Sequence, residues 1–128
     1  MPNQNPTELD FATVFYDENE ILIITMKNSS DLDAYDLANL NLAIRSKTKE
    51  QAALKLVDAR ANWNLSKSAK VWAMSEHSIH VTKARAIVVS SSIESTLLKF
   101  LQVFENYSYP QQIFTNYEDA YQWLLSFK

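Results

Sequence analysis

Not one of the 128 residues is glycine, where ordinary usage of about 7% would place roughly nine at this length. Glycine is the residue that takes positive φ cheaply and lets backbone approach a phosphate closely. Its absence removes the common nucleotide-binding loops and the strained nucleophile elbow, because each is built on glycines at fixed offsets. Most glycine-based enzyme signatures are therefore excluded. A compact α/β domain with clear element signals remains.

The length suits one domain that buries a single core without disulfides or a structural metal. Hydrophobic residues make up 47% and charged residues 21%, which is globular rather than disordered composition. A net charge of -3 argues against nucleic acid or anionic lipid as partners, since both are held by clustered positive charge. Lys67, Lys70, Lys83 and Arg85 make only a loose basic region. Without cysteine there is no disulfide framework, thiolate nucleophile or cysteine-ligated zinc. No apolar run is long enough for a signal core or a membrane span, and a cytoplasmic location is expected. Residues 1–8, polar with two prolines, are expected as a flexible tail before a domain at 9–128.

Two apolar, β-branched runs, 11–16 and 21–26, flank Asp17-Glu18-Asn19-Glu20 and predict an antiparallel hairpin. Asn19 is expected to stand in for glycine in the turn, because Asn tolerates left-handed backbone. Ser30, followed by Asp31 and Asp33, predicts a helix start, with Leu37, Leu40 and Ile44 as the inner stripe. Residues 53–59 read as a central strand, ending in a polar loop at 58–64. A second helix is expected from about Ser66, with Leu65, Ala69, Trp72 and Ile79 on one face and Val71 and Met74 pointing elsewhere. Ala86-Ile87-Val88-Val89 reads as a strand buried on both faces. Then come Ser90, Ser91 and Ser92, a third helix carrying Ile93, Leu97, Leu101 and Phe104, a strand at 112–115, and a last helix at 117–127 capped by Asn116. The order ββαβαβαβα gives an α/β fold with a mixed five-stranded sheet, an antiparallel N-terminal hairpin and four helices.

Across 11–127 this order resembles the STAS domain and the SpoIIAA-like proteins grouped near it. The runs Leu56-Val57-Asp58-Ala59-Arg60, Ala84-Arg85-Ala86-Ile87-Val88-Val89-Ser90-Ser91 and Ile113-Phe114-Thr115-Asn116-Tyr117-Glu118-Asp119-Ala120-Tyr121-Gln122-Trp123-Leu124 carry the likeness. They encode strands and a capped helix, so the resemblance speaks to fold before activity. STAS-type antagonists of anti-sigma factors place a phosphorylatable serine at the start of the helix after the central strand, within Asp-Ser-x-Gly. Ser66 holds roughly that place in Asn62-Trp63-Asn64-Leu65-Ser66-Lys67-Ser68, without the aspartate before it or the glycine after it. The resemblance implies Ser66 as a phosphosite; its residue type and place read equally as an N-cap.

Asp58 and Arg60, two apart at the carboxyl end of the central strand, sit where open α/β sheets bind ligands, or else pair with one another or with loop backbone. Glu76, His77 and His80 fall short of the three or four ligands of a zinc site, so no metal is expected. Ser90 to Ser92 are either an anion-capturing turn or capping serines, and a Ser-His-Asp triad through His77 is not selected by any spacing. Trp63, between two asparagines, either folds back onto the core or stays available to a partner. With Val71 and Met74 it defines the expected contact surface. Tyr107-Ser108-Tyr109-Pro110 is a second aromatic edge, expected against the last helix.

The expected function is a non-enzymatic regulatory or interaction module. It would dock a protein partner or a second copy through the loop and helix after the central strand, at Asp58, Arg60, Trp63, Val71 and Met74, without a cofactor. The alternatives are a carrier of a small apolar or lipid-like ligand, in a cleft lined by Trp72, Leu97 and Phe104, and a hydrolase or transferase using Asp58 and Arg60.

Overall fold

The expected hairpin forms, and Asp17 makes its turn. In the computed structural model, which describes residues 5–29, 31–73, 81–93, 98–99 and 109–128, Asp17 Oδ1 accepts from the amides of Asn19 and Ile21, both at 2.9 Å. The left-handed position falls one residue later than expected, on Glu20 with φ 62°. The carbonyl of Asp17 accepts from the Glu20 amide at 3.1 Å, a tight turn closed by a left-handed residue that glycine usually supplies. Glu20→Gly is therefore expected to stabilise the domain by about 0.5–1 kcal/mol, the relief of left-handed strain less the added freedom of the unfolded chain. Urea unfolding of the variant checks it.

Strands β1 (Thr7–Glu8), β2 (Ala12–Tyr16), β3 (Ile21–Met26), β5 (Ala53–Asp58), β7 (Thr82–Val88) and β8 (Gln111–Phe114) form a six-stranded sheet in the order β1-β2-β3-β5-β7-β8. The first three pair antiparallel and the last four parallel. Thus the sheet is mixed, with one strand more than the expected five. The extra strand is β1, taken from the segment read as tail: Thr7 and Glu8 pair with Val14 and Thr13.

A second sheet of two short parallel strands joins β4 (Asp31–Leu32) to β6 (Asn64–Leu65). It corrects the reading of Ser30 as a helix start, since the chain is still extended at Asp31 and Leu32. The cap of α1 (Ala34–Thr48) is Asp33, whose Oδ1 accepts from the Asp36 amide at 2.9 Å while Asp36 Oδ2 accepts from the Asp33 amide at 3.0 Å. That reciprocal capping box satisfies two of the unpaired donors of the first turn. α2 (Lys67–Ala73) starts where expected, and the last helix, α3 (Tyr117–Leu125), is capped by Asn116 as expected, through the Asp119 amide at 2.9 Å. Among the described residues these are the three helices with defined bounds. Leu98 and Lys99 are also helical, and most of the expected helix at 93–104 lies outside the described residues.

The helices divide between the faces. Val14, Leu22 and Ile24 pack with Ala43 and Ile44 of α1 in one cluster, and Ile87 and Val89 join Leu65 and Ala69 in its neighbour. On the opposite face Ile21, Ile23, Leu54, Leu56, Ala86 and Val88 meet Ala120 and Leu124 of α3. This follows from strand alternation, which sends successive side chains to opposite faces. β7 begins at Thr82, four residues before the apolar run that marked it, and carries an irregularity. Ala53 pairs with Thr82 but Leu54 with Ala84, so Lys83 is an extra residue bulged out of register.

Candidate functional site

The carboxyl edge of the sheet holds the residues that sequence reading singled out. Asp58 ends β5, and Arg60 folds straight back onto it: Nε donates to Oδ1 at 2.8 Å and an η nitrogen to Oδ2 at 2.7 Å. The fork holds the Asp58 carboxyl below its ordinary pKa, against the smaller opposing push of burial, which makes it a weak proton acceptor. The guanidinium also lies 5.4 Å from the Tyr117 ring centre. Tyr117 stacks on Tyr121 at 6.4 Å. The Tyr121 hydroxyl donates to Asp17 and accepts from Asn19 Nδ2 at 2.8 Å. Burial and then the Asp17 hydrogen bond push the Tyr121 phenol up to about 12.

The loop after β5 is tied down rather than free. Trp63 is half-buried against the core, and its indole N–H donates to the Ala59 carbonyl at 3.0 Å. Asn62 receives the Ser29 amide on its carbonyl at 3.0 Å and gives its own amide to Asn28 Oδ1 at 2.7 Å. Ser66 is an N-cap of α2: its Oγ accepts from the Ala69 amide at 3.2 Å and its carbonyl from the Lys70 amide at 3.0 Å. The Ser66 and Ser68 hydroxyls lie 3.0 Å apart, and Ser68 Oγ accepts from the Ala34 amide at 3.3 Å. The starts of α1 and α2 therefore share one hydroxyl pair. Val71 stands out in solvent, 64% exposed.

Met74, Glu76, His77, His80, Leu97 and Phe104 lie outside the described residues. Among the described residues no three His, Cys, Asp or Glu side chains converge on a metal position, and no helix is long and apolar enough to cross a membrane. Ser90 Oγ accepts from the Ser92 amide at 3.2 Å and meets Ser92 Oγ at 2.9 Å, a local turn.

Sequence reading missed a polar row on the α1 side of the sheet, buried at Lys55 and Gln111 and half-buried at Arg85. Register places Lys55, Arg85 and Gln111 side by side on β5, β7 and β8. Lys55 is 1% exposed, and its Nζ donates to Thr82 Oγ1 at 2.8 Å. The bulge at Lys83 makes that contact, because it turns Thr82 onto the face of Lys55. Burial, then the charges of Arg85 and Arg45, lower the Lys55 pKa to about 7. Arg85 Nε donates to Gln111 Oε1, and its guanidinium lies 5.4 Å from the ring centre of Tyr109. Tyr109 hydrogen-bonds the Thr82 side chain; Tyr107 and Ser108 of its expected aromatic edge lie outside the described residues. Gln111 Nε2 is buried with no hydrogen-bond partner. The signal was a lysine between Leu54 and Leu56 and an arginine between Ala84 and Ala86, each a charge inside an apolar strand. An amine with so lowered a pKa is a competent nucleophile or base, but this one is closed off from solvent.

The mixed sheet, the antiparallel entry and the helices on both faces define a SpoIIAA-like α/β fold. The structure is similar to the crystal structure of an uncharacterized protein of the DUF3478 family with a SpoIIAA-like fold from Shewanella loihica PV-4. The TM-score is 0.65 at 15% identity, over 92% of this chain and 97% of that one. Residues 15–128 match the family described as Domain of unknown function (DUF7793), and the chain belongs to that family. No curated protein matches the sequence.

Proposed function

We propose that this domain is a non-enzymatic interaction module that docks a protein partner on the outer face of α1 and α2. One observation carries the reading. The large apolar side chains exposed among the described residues are Tyr35 at 74%, Leu42 at 64% and Val71 at 64%, and all three lie on these two helices, which pack on one another. Tyr35 and Leu42 are seven apart, so they share a face opposite Leu37, Leu40 and Ile44, which turn toward the core. A helix apolar on both sides asks for a second covering surface.

The STAS resemblance supports regulation of that docking at Ser66. A phosphate there would sit at the shared start of both helices, beside Lys67 and Lys70 and close to the acidic Asp33 and Asp36 of α1. The hydrolase reading has less support, because Asp58 and Arg60 satisfy one another.

Leu42→Glu with Val71→Glu tests the reading. Both positions are exposed, so stability should stay within about 0.5 kcal/mol per site. Association should weaken at least tenfold, read as self-association by sedimentation velocity, or as a specific protein retained by the wild type from its own host and lost by the variant. Equal sedimentation together with equal retention would overturn the proposal.

A further inference from the structure

A groove of about 740 Å³ opens at the opposite edge of the sheet from Asp58, between the β2–β3 turn, the end of α1 and the start of β5. Its volume is that of an ordinary small-molecule site. Three features converge on it.

The first is charge. Lys47, Lys49, Lys83 and Lys128 line the groove, and Glu20 is the one acidic side chain among the described lining residues, in a chain of net charge -3. Lys47 and Lys128 place their ammonium groups on the carbonyls of Asn5 and Asn19. Lys49 and Lys83 are exposed and form no ion pair among the described residues. Lysines at the end of α1 also answer the helix dipole, but Lys83 is on a strand and has no helix end to answer.

Backbone geometry is the second feature. Glu20, Lys49 and Glu50, with φ of 62°, 52° and 65°, are the positive-φ residues among those described. Two of them line the groove and the third is flanked by the lining residues Lys49 and Gln51. Glu20 closes the β2–β3 turn and Lys49 is the left-handed C-cap of α1, so two chain reversals meet at the groove and fix its rim. Third, the bulge in β7 falls on Lys83, and bulges re-aim side chains at sites.

We propose that this groove binds a small organic anion, a carboxylate or phosphate carried on an apolar body. Lys49 and Lys83 take the charge, and the half-buried Tyr16 and exposed Ala52 on the lining take the body.

Amide NMR titration with hexyl phosphate, hexanoate, inorganic phosphate and hexanol tests it. Hexyl phosphate or hexanoate should shift amides at 47–54, 20 and 83, with affinity falling as salt rises, while inorganic phosphate binds weaker and hexanol not at all. Lys49→Gln with Lys83→Gln should weaken the organic anion about fivefold to tenfold and leave the fold intact, because both side chains are exposed. Hexanol binding equal to that of the anions, shifts centred on α1 and α2 instead, or an unchanged affinity in the double variant would each overturn it.

Discussion

Lys55→Met is expected to raise the unfolding free energy at pH 7 by about 3 kcal/mol. In the folded chain the lysine drops from its ordinary 10.5 to about 7. At about 1.36 kcal/mol per pH unit that difference costs the native state about 4 kcal/mol at neutral pH. Methionine removes the cost, keeps the length of the side chain, and loses the bond to Thr82, worth about 1 kcal/mol. The sign of the pH dependence follows from proton counts. Between about pH 7 and 10.5 the unfolded chain binds the lysine proton and the folded chain has released it, so wild-type stability rises with pH through that window. Below pH 7 both states hold the proton and the full cost persists. Urea unfolding at pH 7, 8 and 9 should show the rise in wild type and its loss in Lys55→Met. Parallel profiles would mean that Lys55 keeps its charge in the fold.

The second large effect belongs to α3. Leu124→Ala should destabilise the domain by about 3 kcal/mol, within the usual range for emptying a packed leucine site, and lower the melting temperature by roughly 10 °C. Leu124 and Ala120 are both 0% exposed, and they close the face made by Ile21, Ile23, Leu54 and Leu56. Gln122→Ala, on the exposed side of the same helix, loses only a bond to Glu118 and should stay within about 0.5 kcal/mol. A loss below about 1 kcal/mol at Leu124 would show that α3 is not what seals that face.

Residues 21–26 form the strand that their apolar run indicates, and Ser66 and Asn116 cap where side-chain chemistry places them, because these signals are local. β1, β4 and β6 are two residues each, too short to carry periodicity, and form only where a partner strand waits. The start of β7 was hidden by Lys83 and Arg85, charges that depart from a buried-strand pattern for different reasons, one bulged outward and the other inside the polar row. The row itself could not be read locally. Lys55, Arg85 and Gln111 are up to 56 positions apart in a sequence of 128 and become neighbours only through parallel register. By contrast, Asp58 and Arg60 were legible as a pair because a separation of two residues at the end of a strand is already a contact distance.

The outermost strands of the main sheet bear on how copies of this domain can meet. At one margin β1 offers just two residues, Thr7 and Glu8, with Lys27 bonded to Glu8 at 2.7 Å. The other margin, β8, is four residues long and is entered through Pro110, which has no N–H to donate to a further ladder. Short, charged or proline-bounded margins template poorly for continuous cross-chain β-ribbons. Assemblies of this protein should therefore keep each protomer's sheet closed, stay dispersed rather than grow into fibrils, and leave thioflavin dark when the concentration is raised.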